Sequence, residues 1–227
     1  MNYINERSYV FKKVLILLGL SVSFLFVNRA MNTELKSKLS SMPVDAKRVL
    51  ILPINITSSA KNKTHLVIQI PKDYKCLQDD TLASVQEFIP TSDTDTFKWS
   101  KILTTELIVG QRLSARERIA LTKQFFLLLA DEKVTVKMKD SGPNDKASEV
   151  KIITEENRDL GTHQQASATI SYTVNGRSEI MFLSFFSGPY DCAGFSYSIA
   201  LDSKTTVADA TKAYQDFIKN NVEIIKK

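Results

Sequence analysis

Residues Ala166-Ser-Ala-Thr-Ile-Ser-Tyr-Thr-Val174 are followed by Asn175-Gly176 and then by Arg177-Ser-Glu-Ile-Met-Phe-Leu-Ser-Phe-Phe-Ser187. Two β-rich runs joined by Asn-Gly read as a hairpin, because the two-residue turn between antiparallel strands needs positive φ at its central positions. The strands are expected over 166–174 and 179–187. Working outward, 193–201 continues the pattern as a further strand, and 134–139 and 150–154 precede it with strand composition. Ser141-Gly142-Pro143-Asn144-Asp145 and Gly188-Pro189-Tyr190-Asp191 are turns between them.

Helices bracket these strands. Ser114-Ala-Arg-Glu117 is a capping box, in which the serine oxygen takes an N3 amide and the glutamate reaches back. The helix it opens runs to about Asp131. Its run Phe125 to Leu129 goes round most of the helix, so burial on more than one side is expected there. Thr206-Val-Ala-Asp209 opens a second helix, with Val207, Ala210, Tyr214, Phe217, Ile218 and Val222 at helical spacing. Upstream, His65 to Ile70 and Ser84 to Ile89 are strands stopped by Pro71 and Pro90, and Trp99 to Val109 is another. The run Val49 to Ile56 contains Pro53, which confines it to a sheet edge. The expected fold is α+β: a single antiparallel sheet with a central helix and a C-terminal helix packed on it, preceded by an N-terminal signal or anchor helix.

The N-terminus carries targeting information. Arg7, Lys12 and Lys13 precede fourteen uncharged residues, 14–27, before Asn28 and Arg29. A basic head and a short apolar run make a secretory signal. As a helix the run spans about 21 Å, short of the ~30 Å hydrocarbon core. Ala30 is the candidate last residue of a cleaved signal, although Asn28 is not the small residue such a site prefers. An uncleaved anchor is the alternative. The expected organisation is signal or anchor over 1–30, a linker with a short edge strand over 31–63, and an α+β domain over 64–227. The expected location is periplasmic or secreted, or else the inner membrane if the anchor stays.

Of 227 residues, 30 are Lys or Arg and 25 are Asp or Glu, for a net charge of +5. Residues 1–30 hold four of the bases and one of the acids, so the rest of the chain carries only +2. No long basic run remains in it, which argues against nucleic-acid binding. Membrane contact is expected only through 14–27. No phosphate-binding glycine loop, zinc-protease helix motif or calcium loop is present. Gly194-Phe-Ser196-Tyr-Ser198 lacks the second glycine of a nucleophile elbow and lies within a strand pattern. Cys192 with His163 would need a lowered thiol pKa, which nothing in the sequence supplies. The acidic pairs Asp93, Asp95 and Asp79, Asp80 read as solvated loop residues, and Phe97 and Trp99 as core aromatics. No catalytic residue, metal ligand or cofactor is therefore assigned.

Cys76 and Cys192 form a disulfide candidate, since an exported chain meets an oxidising compartment. Closing that loop of more than a hundred residues would contribute about 4–5 kcal/mol in the chain-entropy model.

From about His65 to Lys227 the chain resembles the Mog1/PsbP-like α+β fold. The features are Ile70-Pro71-Lys-Asp-Tyr74, a strand ending in a proline and an aromatic; Phe88-Ile-Pro90 leading to Trp99; and a final helix after antiparallel strands. It is also similar to small exported proteins of Gram-negative bacteria with no assigned activity. The resemblance covers roughly 70% of the chain and implies a binding or assembly factor rather than an enzyme. The function expected is that of an exported non-enzymatic protein with a protein partner in the envelope or outside the cell. The alternatives are an exported hydrolase without a motif and a membrane-anchored subunit of an envelope complex.

Overall fold

The computed structural model describes residues 49–55, 64–80, 85–94, 99–108, 113–130, 147–161, 163–174, 176–188 and 191–226. Residues 14–27, Ala30, Asp95, Phe97 and the expected strand over 134–139 lie outside them.

The order is β1 (Val49–Asn55), β2 (Thr64–Gln69), β3 (Tyr74–Asp80), β4 (Val85–Pro90), β5 (Lys101–Ile108), α1 (Ala115–Ala130), β6 (Ala147–Asp159), β7 (Gln164–Val174), β8 (Arg177–Ser187), β9 (Cys192–Ala200), α2 (Val207–Asn221) and β10 (Val222–Lys226). The α+β class holds, but the expectation of one sheet is corrected. There are two sheets: three strands in the order β1-β2-β10, and seven in the order β3-β4-β5-β9-β8-β7-β6. All pairings within them are antiparallel. The cause of the division is pairing. β2 is flanked on both sides, by β1 and by β10, so it has no edge left for the large sheet. The chain leaves it through Pro71, whose carbonyl accepts from Tyr74 N–H at 3.0 Å, and Tyr74 starts β3 in the large sheet.

The Asn175-Gly176 reading holds. Val174 pairs with Arg177 across a two-residue loop, with Gly176 at φ 75°. Both capping boxes form as expected. Glu117 accepts from Ser114 N–H at 2.7 Å while Glu117 N–H donates to Ser114 Oγ at 3.2 Å. Thr206 and Asp209 make the same exchange. α2 does not run through Val222, which is already extended, and the chain passes directly into β10. Pro53 lies on β1, an edge strand as expected, beside a register shift.

The large sheet is covered on both faces. Alternate residues of β9 (Ala193, Phe195, Tyr197, Ile199) point into a core shared with α2 and the small sheet, including Leu66, Ile68, Ala210 and Phe217. On the opposite face Cys192 joins Met181, Leu183, Phe185, Ile170 and Tyr172 beneath Ala115, Ile119 and Phe126 of α1. The period of two along each strand separates these layers.

Candidate functional site

The residues singled out from sequence do not converge. Cys76 pairs in register with Phe88, Phe88 with Leu103, and Leu103 with Tyr197. The two cysteines are therefore three strand spacings apart across the sheet and five residues apart along it, roughly 20 Å in all. A disulfide needs Cα atoms within about 7 Å. The disulfide expectation is corrected: Cys76 is an exposed thiol and Cys192 a buried one. Burial, with the Glu106 carboxylate second, pushes the Cys192 thiol up to about 12, against the smaller pull of Arg118. A thiol so held is the opposite of an activated nucleophile.

Ser196 is buried within β9, in register with Thr104. Asp93 closes its own loop: its carboxylate accepts from Ser100 N–H at 2.6 Å and from Ser100 Oγ, and its carbonyl from Lys75 Nζ at 2.5 Å. Trp99 is a buried anchor, as expected, with the Arg177 guanidinium 4.4 Å from its ring centre and donating to its carbonyl. Among the described residues no group of three His, Cys, Asp or Glu side chains is placed to hold a metal ion.

The clearest buried polar constellation was missed in the sequence. Glu106 of β5, Gly194 of β9 and Phe185 of β8 lie side by side in register. Gly194 has no side chain because there is no room for one: a Cβ there would meet Phe185 Cδ1 at 2.4 Å and the Ser184 carbonyl at 2.5 Å. Arg118 of α1 descends onto this row. Its Nη2 donates to Glu106 Oε2 at 2.8 Å and its Nε to Oε2 at 3.1 Å, and its guanidinium lies 5.1 Å from the Phe185 ring centre. Thr122 Oγ1 accepts from Nη1 at 2.7 Å. Ser187 Oγ accepts from the Ala115 N–H at 2.8 Å, at the N-terminus of the same helix. The contacts to Glu106, Phe185 and Ser187 fix α1 to the sheet, and the bond to Thr122 holds the guanidinium from within the helix. A buried, multiply bonded ion pair specifies position more than it adds stability.

Its consequence is a surface. α1 runs from Ala115 beside Ser187 to Phe126 beside Tyr172, whose rings are 4.5 Å apart, so it lies antiparallel to β6. Lys123 of α1 pairs with Glu155 of β6. One turn further, the rise of the helix carries Leu127 to the level of Ile152. The expectation that 125–129 is buried on more than one side is corrected: Phe126 is buried, but Leu127 is 50% and Leu128 49% exposed. A single helix laid on a single sheet buries one face, and the two leucines fall on the other. Across from them Ile152 and Ile153 are 38% and 47% exposed. The result is an apolar strip along α1 and β6, with Lys151, Glu156 and Arg158 exposed on the same strand.

No family model matches the chain, and no curated protein matches it. Among solved structures the chain is similar to a Bacteroides thetaiotaomicron VPI-5482 protein, at TM-score 0.38 and 10% identity, over 71% of this chain and 46% of that one. It thus spans about half the length of the Bacteroides chain. It is similar to LpqN of Mycobacterium tuberculosis, involved in cell envelope biogenesis, at TM-score 0.43 and 11% identity over 79% and 91%. It is also similar to the cyanobacterial PsbP, CyanoP, of Synechocystis sp. PCC 6803, at TM-score 0.43 and 10% identity over 75% and 98%. A PsbP-like protein is thus among the similar structures, in keeping with the resemblance read from the sequence.

Proposed function

We propose that this chain is an exported protein that works by binding another protein in the envelope or outside the cell, with α1 and β6 as its binding surface. The observation that carries the reading is the strip formed by Leu127, Leu128, Ile152 and Ile153. Clustered exposed apolar side chains are what interaction surfaces present to water. The Arg118 clamp supports the reading, because it holds the helix that carries half the strip. Export rests on the basic head and apolar run of residues 1–29.

The test is a comparison of the full chain with its Leu127→Glu, Leu128→Glu double variant, both recovered from the envelope of a Gram-negative host. Both side chains are exposed, so unfolding stability should change by no more than about 0.5 kcal/mol per site. The native chain is expected to retain a partner in fixed ratio, and the folded variant to lose it. A partner retained equally by both, or by neither, overturns the proposal.

A further inference from the structure

β6 ends the seven-stranded sheet, and among the described residues nothing pairs with its outer edge. It is 13 residues long and exposed from Ser148 to Asp159, apart from half-buried Val150. Long bare edges recruit other strands unless charge or bulges prevent it. β6 has both: register shifts at Ser148/Lys151 and Ile152/Thr154, and Glu149 at φ 53°. The charges, however, are placed in a particular order.

Because of the bulges, facing must be read from the register with β7. Lys151, Thr154, Glu156 and Arg158 lie opposite Ser171, Thr169, Ser167 and Gln165. These alternate positions share the face away from α1. Glu149 joins them, accepting from Thr173 Oγ1 at 3.0 Å, and Thr154 Oγ1 donates to Thr169 Oγ1 at 2.9 Å. Along this face Lys151 stands two β7 positions to one side of Thr154 and Glu156 two to the other. Ser148 and Arg158 stand four to either side, and Glu149, inside the bulge, brings its carboxylate to the Ser148 level through its bond to Thr173. The charges therefore read minus, plus, Thr154, minus, plus.

We propose that β6 pairs edge to edge with β6 of a second copy, antiparallel, about a two-fold axis through Thr154. In that register Lys151 meets Glu156 of the other copy and Glu149 meets its Arg158, each contact occurring twice by symmetry. Within each copy Arg158 already pairs with Glu156 at 2.7 Å, so the cross-strand contacts extend that pair into an alternating ladder. Moving the axis one position along sets Lys151 against Arg158, and moving it the other way sets Glu149 against Glu156. Like charges directly opposite are unfavourable in sheets. Exposed ion pairs contribute little each; here they select the register, while the backbone ladder drives association and leaves the strip on the α1 face to its own partner. The two large sheets become one, with both α1 helices on the same face.

Sedimentation velocity of the detergent-solubilised full chain over a concentration series tests this. The native chain should dimerise, Lys151→Glu or Glu156→Lys should each weaken the dimer by about tenfold, as expected for exposed charge pairs counted twice, and the double charge swap should restore it. In a Cys76→Ser background, Thr154→Cys should give a disulfide-linked dimer on mild oxidation, since the axis sets the two Cα atoms about 4.5–5.5 Å apart. Lys204→Cys should not. A monomer at every concentration overturns the proposal. So does a dimer indifferent to Lys151→Glu, or a double swap no stronger than its single variants.

Discussion

At the residue scale, the absence of a side chain at Gly194 organises the α1 face. It lets the Phe185 ring lie across β9, and that ring supports the guanidinium that Glu106 holds. Removing one member of this pair strands a buried charge. Arg118→Ala should therefore lower unfolding stability by about 3–5 kcal/mol, whereas the double replacement Glu106→Leu, Arg118→Met should cost far less, because no buried charge remains. Urea unfolding of the three variants checks this; equal losses in the single and double variants would contradict it. The thiols give a second prediction. With Cys76 exposed and Cys192 buried and held protonated, iodoacetamide should label the native chain once, at Cys76, and the denatured chain twice without any reductant. Intact mass reads the count, and a denatured chain that stays unlabelled would restore the disulfide.

At the element scale, α2 seals the other face through stacked rings. Tyr197 lies over Phe217 at 4.7 Å and Tyr214 over Phe182 at 4.4 Å, while Tyr74 and Tyr197 share a hydrogen bond of 2.8 Å. Burial raises all three phenols, Tyr214 up to about 12. A folded pKa above the unfolded value of 10.0 means the unfolded chain loses its proton first. Their contribution to stability is thus full below about pH 10 and falls as pH rises through the folded values. Alkaline titration should show tyrosinate absorbance from these residues only together with loss of the fold; their ionisation in a chain still folded would contradict the packing. The hairpin at Asn175-Gly176 and both capping boxes were legible in the sequence because each is settled within a few residues. β3 was not: Lys75, Gln78, Asp79 and Asp80 look like a loop, and only pairing with β4 makes them a strand. β10 was hidden because neither Gly nor Pro separates it from α2, and the helical stripe runs into Val222. The division into two sheets depends on which strands meet, and the apolar period within a strand does not encode its partner.

At the scale of the whole molecule, one helix clamped to one face leaves the α1–β6 flank as the part of the described surface where apolar side chains cluster. The candidate site was half legible. The apolar run at 125–129 stood out, but its reading as buried failed, because how many faces of a helix are covered depends on the number of layers packed against it. In the proposed function residues 14–27 would carry the chain out of the cytoplasm, and the strip would then engage a partner. Among the described residues no helix is long and apolar enough to cross a membrane. The most direct test places a photo-reactive amino acid at Leu128 of the full chain, with Lys204 on the exposed loop before α2 as the control site. Illumination in the intact envelope should give a discrete adduct from position 128, of a mass that differs from twice the chain, and none from position 204. No adduct at 128, or the same adduct from both positions, would contradict a binding role for this surface.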